Sequence, residues 1–211
     1  MDRNRHFYIT VHTYKGESFP SPGGVSAIVT LGCPTSVSEF MSEDWSRRLY
    51  DYLDEVIACE TPYLGICYGA QIMAANRGAS VLPNRPKEIG VYTVTLNEDG
   101  KADPVFKGFP ERFPVFHWHG DMFDVPLGGA LLATGEACKN QAYRVGKAVG
   151  LQFHLEVDPG KVPIWCAEYA EELPEVGKSA EEVLAEYKKV EAETARLHDL
   201  LLGNFLGSVA Q

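Results

Sequence analysis

Cys67 sits in the stretch Gly65-Ile66-Cys67-Tyr68-Gly69-Ala70-Gln71, with a glycine two residues to either side. The apolar run Tyr63-Leu64-Gly65-Ile66 reads as a short strand leading into the cysteine, and Gly69 to Arg77 reads as a helix leaving it, with Gly78 as C-cap. Strand, nucleophile and helix in direct succession form a nucleophile elbow, here with Cys in place of Ser. The turn is sharp and crowded, so its flanking side chains must be small. It holds the sulfur above the sheet at a helix N-terminus, where the dipole and free backbone N–H groups favour a thiolate. The N–H of Tyr68 is then placed to hydrogen-bond an oxyanion. A thiolate nucleophile needs a base, and the base needs an orienting group. Among His6, His12, His117, His119, His154 and His198, His154 ends an apolar strand-like run, Gly150-Leu151-Gln152-Phe153-His154-Leu155-Glu156. Glu156 follows it by two residues, which in extended chain puts both side chains on one side. His117 and His119 have the spacing of a metal pair. No third or fourth ligand is obvious near them in the sequence, so neither metal nor other cofactor is expected. Cys59, Cys138 and Cys166 lack the glycine frame and read as small buried apolar residues.

The elements that must carry these residues alternate between β-like and helix-like stretches. Phe7-Tyr8-Ile9-Thr10-Val11 is β-like, Ser21-Pro22-Gly23-Gly24 is a turn, and Ala27-Ile28-Val29-Thr30-Leu31 reads as a buried strand. From Ser38 to Ala58, Trp45, Leu49, Tyr52, Leu53 and Val56 recur on one helical face, which ends before Thr61-Pro62. The middle, about Val81 to Val149, differs: Val91 to Leu96 alternates, Asn97-Glu98-Asp99-Gly100 is a turn, and short strands fall around Leu131 and Tyr143. These predict an antiparallel patch on a parallel α/β sheet. Residues 179–206 form a C-terminal amphipathic helix, opened by a Ser179/Glu182 capping box, with Leu184, Tyr187, Val190, Thr194, Leu197 and Leu201 on one face. The 211 residues suit a single domain over 1–211. With 29 acids against 19 bases, the net charge of −10 argues against nucleic-acid or anionic-membrane partners. Ten acids and four bases fall in residues 168–199, a solvated face. No run approaches the ~18–20 apolar residues of a membrane span, and the start lacks a signal peptide's apolar block. Five irregularly spaced cysteines without a CxxC fit a reduced, cytoplasmic chain.

Three blocks together, Gly65 to Gln71, Phe116-His117-Trp118-His119-Gly120-Asp121 and Gly150 to Glu156, resemble in order and spacing the class I (triad-type) glutamine amidotransferases. The likeness is greatest to stand-alone proteins similar to the amidotransferase domain of GMP synthase, and it covers roughly residues 7 to 206. The resemblance implies a flavodoxin-like α/β fold, a mostly parallel sheet flanked by helices. It implies that Cys67 attacks the γ-carboxamide of glutamine, that His154 activates it and protonates the departing ammonia, and that Glu156 orients His154. Gln71, His119, Gly120 and Asp121 would bind substrate, with Asp121 meeting the α-ammonium. Lys87-Glu88-Ile89-Gly90 would be structural support.

Two departures stand out. Members of that family carry Gly-Gly-Pro at the oxyanion loop, where this chain has Leu31-Gly32-Cys33-Pro34-Thr35-Ser36. The oxyanion hole would then be Tyr68, Cys33 and Gly32. A positive φ at Cys33 would cost about 1 kcal/mol or more, and Cys33 could approach Cys67 closely enough for a disulfide. At the front, the β-strand and helix that precede the Phe7–Val11 segment in that family have no counterpart, which predicts rearrangement, pairing with another chain or a gap in the sheet. The leading function is hydrolysis of glutamine to glutamate and ammonia, the ammonia going to a synthetase partner or being released; self-association is left open. The alternatives are a γ-glutamyl peptidase with the same three residues and a non-catalytic regulatory module. A chain extended upstream is expected to melt at a higher temperature than this one, and equal melting temperatures would count against the missing-strand reading.

Overall fold

Why the chain folds as it does is clearest at the three strands that run into functional loops. The computed structural model describes residues 7–37 and 42–209. Strand β1 (Ile28–Thr30) leads into the Gly32–Cys33 loop and then to helix α1 (Asp44–Ala58). Strand β2 (Tyr63–Ile66) leads into Cys67 and helix α2 (Tyr68–Asn76). The long strand β3 (Val81–Leu96), the short helix α3 (Glu98–Ala102), and strands β4 (Arg112–Phe123), β5 (Ala130–Thr134) and β6 (Ala142–Val145) follow. Strand β7 (Ala148–Leu151) leads into His154, and helices α4 (Lys161–Glu168) and α5 (Ala180–Val209) close the chain.

These strands form one sheet in the order β1-β2-β7-β6-β5-β3-β4. The pairs β1·β2 and β2·β7 are parallel, with Gly65 beside both Thr30 and Gly150. The pairs β7·β6, β6·β5, β5·β3 and β3·β4 are antiparallel. The result is the expected α/β sheet flanked by helices. The carboxyl ends of β1, β2 and β7 lie side by side, which is where a parallel sheet presents a ligand crevice.

Helix α1 buries Leu49, Tyr52, Leu53 and Val56 against α2, where Tyr68, Ile72 and Met73 complete the contact. Helix α2 is buried on nearly every side, so its residues are apolar or small except for Gln71 and Asn76, whose side chains are hydrogen-bonded. Helix α5 begins at the predicted capping box: the Ser179 N–H donates to Glu182 Oε2 at 2.8 Å and the Glu182 N–H to Ser179 Oγ at 3.2 Å. Its inner face runs from Val183 and Tyr187, packed with Ile89 and Phe116, to Leu197, Leu201 and Phe205, packed with Val105, Phe106 and Phe113.

Several expectations are corrected. Phe7–Val11 forms no strand; Phe7 and Tyr8 are 96% and 90% exposed, because no described strand lies beside them to accept their backbone groups. The Ala27–Leu31 strand is not buried. Among the described strands it is the sheet edge, paired only with β2, and Val29 and Leu31 are exposed. The Asn97–Gly100 turn is the cap of α3, with Asn97 Oδ1 accepting the Gly100 N–H at 2.8 Å. The first helix starts at Asp44; residues 38–41 of the predicted span, and His6, lie outside the described residues.

Packing is tight at the elbow. A Cβ on Gly65 would stand 2.5 Å from the Gly69 carbonyl, and one on Gly69 would stand 2.2 Å from the Thr30 carbonyl oxygen. Real Cβ atoms do not approach backbone so closely, so β1, β2 and α2 meet at backbone contact. Gly69→Ala is expected to destabilise the fold by about 3 kcal/mol through overpacking that no side-chain movement can relieve; chemical denaturation would measure it.

Candidate active site

The strand–helix junction forces Cys67 into a conformation that few residues adopt. Its φ is 51° and its ψ −109°, and among described non-glycine residues only Glu60 shares a positive φ. Such strain costs about 1–3 kcal/mol and persists only where the surroundings over-determine it. Here the Cys67 N–H donates to Leu151 O at 2.7 Å, and the Cys67 carbonyl accepts from the N–H groups of Ala70 and Gln71, both at 3.0 Å. The Tyr63 hydroxyl donates to Gly69 O at 2.9 Å and the Tyr143 hydroxyl to Ala70 O at 2.7 Å, pinning the first turn of α2 from below. As the first residue of α2, Tyr68 has an N–H outside the helical ladder. Its ring packs inward, its hydroxyl bonded to Ser46.

The loop after β1 lies against the sulfur. A Cβ on Gly32 would stand 3.1 Å from His154 Cε1, 3.3 Å from Cys67 Cβ and 3.8 Å from Cys67 Sγ. Gly32 is thus the residue that lets this loop reach both side chains. Cys33 has no positive φ, so the strain considered for it does not arise. Its thiol donates to Thr35 O at 3.7 Å, and burial pushes its pKa up to about 12. Cys33 and Cys67 are both free, as are Cys59, Cys138 and Cys166; Cys59 is exposed rather than buried, since it follows the last turn of α1 on the surface.

His154 comes from the segment after β7, where it bridges to β4: its N–H donates to Phe116 O at 2.8 Å and its carbonyl accepts the Phe116 N–H at 3.2 Å. Its Nδ1 meets Glu156 Oε1 at 2.6 Å, and the edge of Trp165 packs on its ring. Burial alone would lower the His154 pKa, but the Glu156 carboxylate and the Cys67 sulfur outweigh it and raise the value to about 10. Burial would raise Glu156; the facing His154 imidazolium instead holds it below its ordinary value.

The remaining predicted residues gather across the cleft, which has a volume of about 590 Å³. Gln71 donates from Nε2 to Asp121 O at 3.0 Å and to Gln152 Oε1 at 3.2 Å. Gly120 packs against the stem of Lys87, and the Asp121 carboxylate accepts from the Ser36 hydroxyl. His119 turns both ring nitrogens to protein groups, Nδ1 to Asp121 O at 2.8 Å and Nε2 to Glu88 Oε2 at 2.9 Å. Two residues were not named for the site in the sequence, Gln152 and Glu88, the latter read only within a segment of structural support. Gln152 sets its Nε2 3.8 Å from Cys67 Sγ; its place two residues before His154, on the same side of the chain, is the signal that could have found it. Glu88 pairs directly with His119 across β3·β4, a register no local pattern reveals.

That register also supplies the third donor missing from the His117/His119 pair. Glu88, His117 and His119 are all buried, with ligand atoms within 4.8 Å of one another. A cation there would have to displace the Glu88–His119 hydrogen bond. His117, fully buried with neither ring nitrogen partnered, is held uncharged by burial and by its histidine neighbours.

The model of the family "Glutamine amidotransferase class-I" matches residues 3–162. The chain belongs to that family. A glutamine amidotransferase-like protein of Salmonella typhimurium is 32% identical over 149 residues, 68% of this chain and 62% of that protein. A glutamine-hydrolyzing GMP synthase of Cytophaga hutchinsonii is 31% identical over 158 residues, 74% of this chain but only 29% of the synthase. The chain therefore spans less than two thirds of these curated relatives. Among solved structures, a glutamine amidotransferase of Thermotoga maritima superposes with a TM-score of 0.82 at 35% identity, covering 92% of this chain and 84% of that one. Membership of the class-I glutamine amidotransferases implies hydrolysis of the glutamine amide in general.

The His154–Glu156 pair sets a pH dependence of stability. A histidine whose pKa is raised in the fold stabilises fully below its unfolded value, about pH 6.5, and that contribution is lost as pH climbs toward the folded value of about 10. A carboxylate with a lowered pKa stabilises above about pH 4.5 and loses that contribution as pH falls through its folded value. The pair is therefore expected to contribute most between about pH 4.5 and 6.5. Calorimetry should show the melting temperature declining from neutral to alkaline pH in the wild type, with a flatter alkaline slope in His154→Gln.

Proposed function

We propose that this domain hydrolyses the side-chain amide of glutamine to glutamate and ammonia through a thioester on Cys67. The single observation that carries this reading is the juxtaposition at the elbow. A strained cysteine lies beneath the Gly32 loop, beside a histidine whose Nδ1 is 2.6 Å from Glu156 Oε1. The sulfur adds to the amide carbon, and the oxygen gains negative charge facing the Tyr68 N–H and the Gly32–Cys33 backbone. Preorganised donors at such a point are each worth ~10²–10³ in rate. The tetrahedral intermediate collapses as His154 gives its proton to the nitrogen, and ammonia leaves. Water then adds to the thioester with His154 taking its proton, which returns glutamate and the free thiolate. Glu156 fixes the tautomer and stabilises the imidazolium throughout. Gln71, Gly120 and Asp121 hold the amino-acid end of the substrate.

The ammonia is passed to a synthetase partner or released; the match to part of GMP synthase supports a partner of that type. All five cysteines are free and no described helix is long and apolar enough to cross a membrane, which supports a reducing, cytoplasmic setting. A second reading, γ-glutamyl peptidase, is favoured by the size of the cleft. Its walls extend past Cys67 to the Pro83–Lys87 segment, Trp165 and Tyr169, leaving more room than a single amino acid fills.

The deciding assay measures ammonia and glutamate from glutamine, alongside γ-glutamyl peptides, for wild type and Cys67→Ala. Glutamine turnover abolished by Cys67→Ala, by about 10³-fold or more, is the expected result. Turnover that survives the substitution would end both readings, and turnover of peptides alone would favour the second.

A further inference from the structure

His119 lies next to Gly120 and Asp121, yet its ring is committed to protein groups on both sides. Asp121 O, 2.8 Å from Nδ1, is a carbonyl and accepts only, so Nδ1 must carry a proton. Glu88 Oε2, 2.9 Å from Nε2, already accepts from Gln141 Nε2 at 3.2 Å. The same Gln141 nitrogen donates to Cys138 O at 3.2 Å, which fixes the orientation of that amide. His119 and Glu88 thus form a buried hydrogen-bonded pair, both side chains being 1% exposed. Buried polar groups are held by hydrogen bonds, and here Asp121 O accepts from His119 Nδ1 while Gln141 Nε2 donates to Glu88 Oε2.

The Asp121 carbonyl is the junction. It accepts from His119 on one side and from Gln71 at 3.0 Å on the other, while Gln71 also donates to Gln152, whose amide faces Cys67 Sγ. The links Glu88, His119, Asp121 carbonyl, Gln71, Gln152 thus run unbroken from the β3·β4 ribbon to the sulfur. We infer that Glu88 and His119 are positioning residues. They form a buried hydrogen-bonded pair that fixes the Gly120–Asp121 segment at the distance from Cys67 that the amino-acid end of a γ-glutamyl substrate requires. This rests on the reading of the cleft as a γ-glutamyl site.

The test measures alkylation of Cys67 by iodoacetamide, and its protection by glutamate, in wild type and Glu88→Gln. Glutamate shares the amino-acid end of the substrate and needs no turnover. The glutamate concentration that halves alkylation is expected to rise about tenfold in Glu88→Gln, with the unprotected alkylation rate within about twofold of wild type. In steady state, KM for glutamine should rise about tenfold while kcat stays within about threefold. Nitrogen NMR of the wild-type His119 ring, which needs no variant to fold, should show Nδ1 protonated and hydrogen-bonded. An unprotonated Nδ1, a metal-bound ring, unchanged protection, or alkylation and kcat falling together would each overturn the proposal. Wild type that glutamate protects but that releases no ammonia from glutamine would end the hydrolase reading and leave this one standing.

Discussion

The close approach of three backbones at the elbow constrains everything else in this domain. Gly65 and Gly69 let β2, the start of α2 and the end of β1 meet without side chains between them. That contact has two consequences. It holds Cys67 at a φ of 51°, a conformation the isolated residue would leave. It also sets the Gly32 loop within contact distance of both Cys67 and His154. The strain is local, whereas the restraints are spread over the Tyr63 and Tyr143 hydroxyls, the Leu151 carbonyl and the buried faces of α2. A cooperative core can hold one unfavourable residue because many favourable contacts would have to break together to release it.

Pairing ionisable side chains that are buried or partly buried is the second constraint, and the molecule meets it the same way each time. His154 faces Glu156, His119 faces Glu88, and Arg144 forks onto Asp103 at 2.5 and 2.6 Å. In each case a further polar group satisfies part of what the pair leaves over, or the pair reaches the cleft. The contrast is His117, whose ring nitrogens have no hydrogen-bond partner among the described residues and which is held uncharged. Neutrality at His117 matters for His154, because a second cation near it would oppose the charge that the His154–Glu156 pair holds.

The parts of this site legible in the sequence are those specified by short-range chemistry. Small residues at positions 65 and 69 announce the elbow because sterics at a sharp turn act within a few residues. His154 and Glu156 meet because i and i+2 share a side in extended chain. The capping box of α5 is likewise a four-residue signal. What was illegible depends on which strands pair. Phe7–Val11 has strand-forming residues but no described strand beside it to bond, and β propensity without a partner is not a strand. Ala27–Leu31 reads as apolar and therefore buried, whereas its burial is decided by its place at the sheet edge. Glu88 meets His119 only through the β3·β4 register, which shifts between Pro83 and Glu88. No periodicity in either strand encodes that shift.

The two halves of the sheet divide the work of the cleft. The parallel half, β1, β2 and β7, delivers the oxyanion loop, the cysteine and the histidine from three adjacent carboxyl ends, so these groups share one rigid frame. The antiparallel ribbon of β3 and β4 delivers Gly120, Asp121 and the pair behind them. Amide chemistry and amino-acid recognition must be held at a fixed separation for a side-chain amide to be cut, and ribbon and frame are separate units that could drift apart. They are joined at two places. The Phe116–His154 bridge ties the backbone of β4 to the histidine, and the Gln71–Asp121 bond ties the β4 backbone just past His119 to the first turn of α2. Each tie ends on a residue next to, or one turn from, a reacting group. The spacing between the two ends of the substrate is therefore set by hydrogen bonds between the halves, and not by the sheet alone.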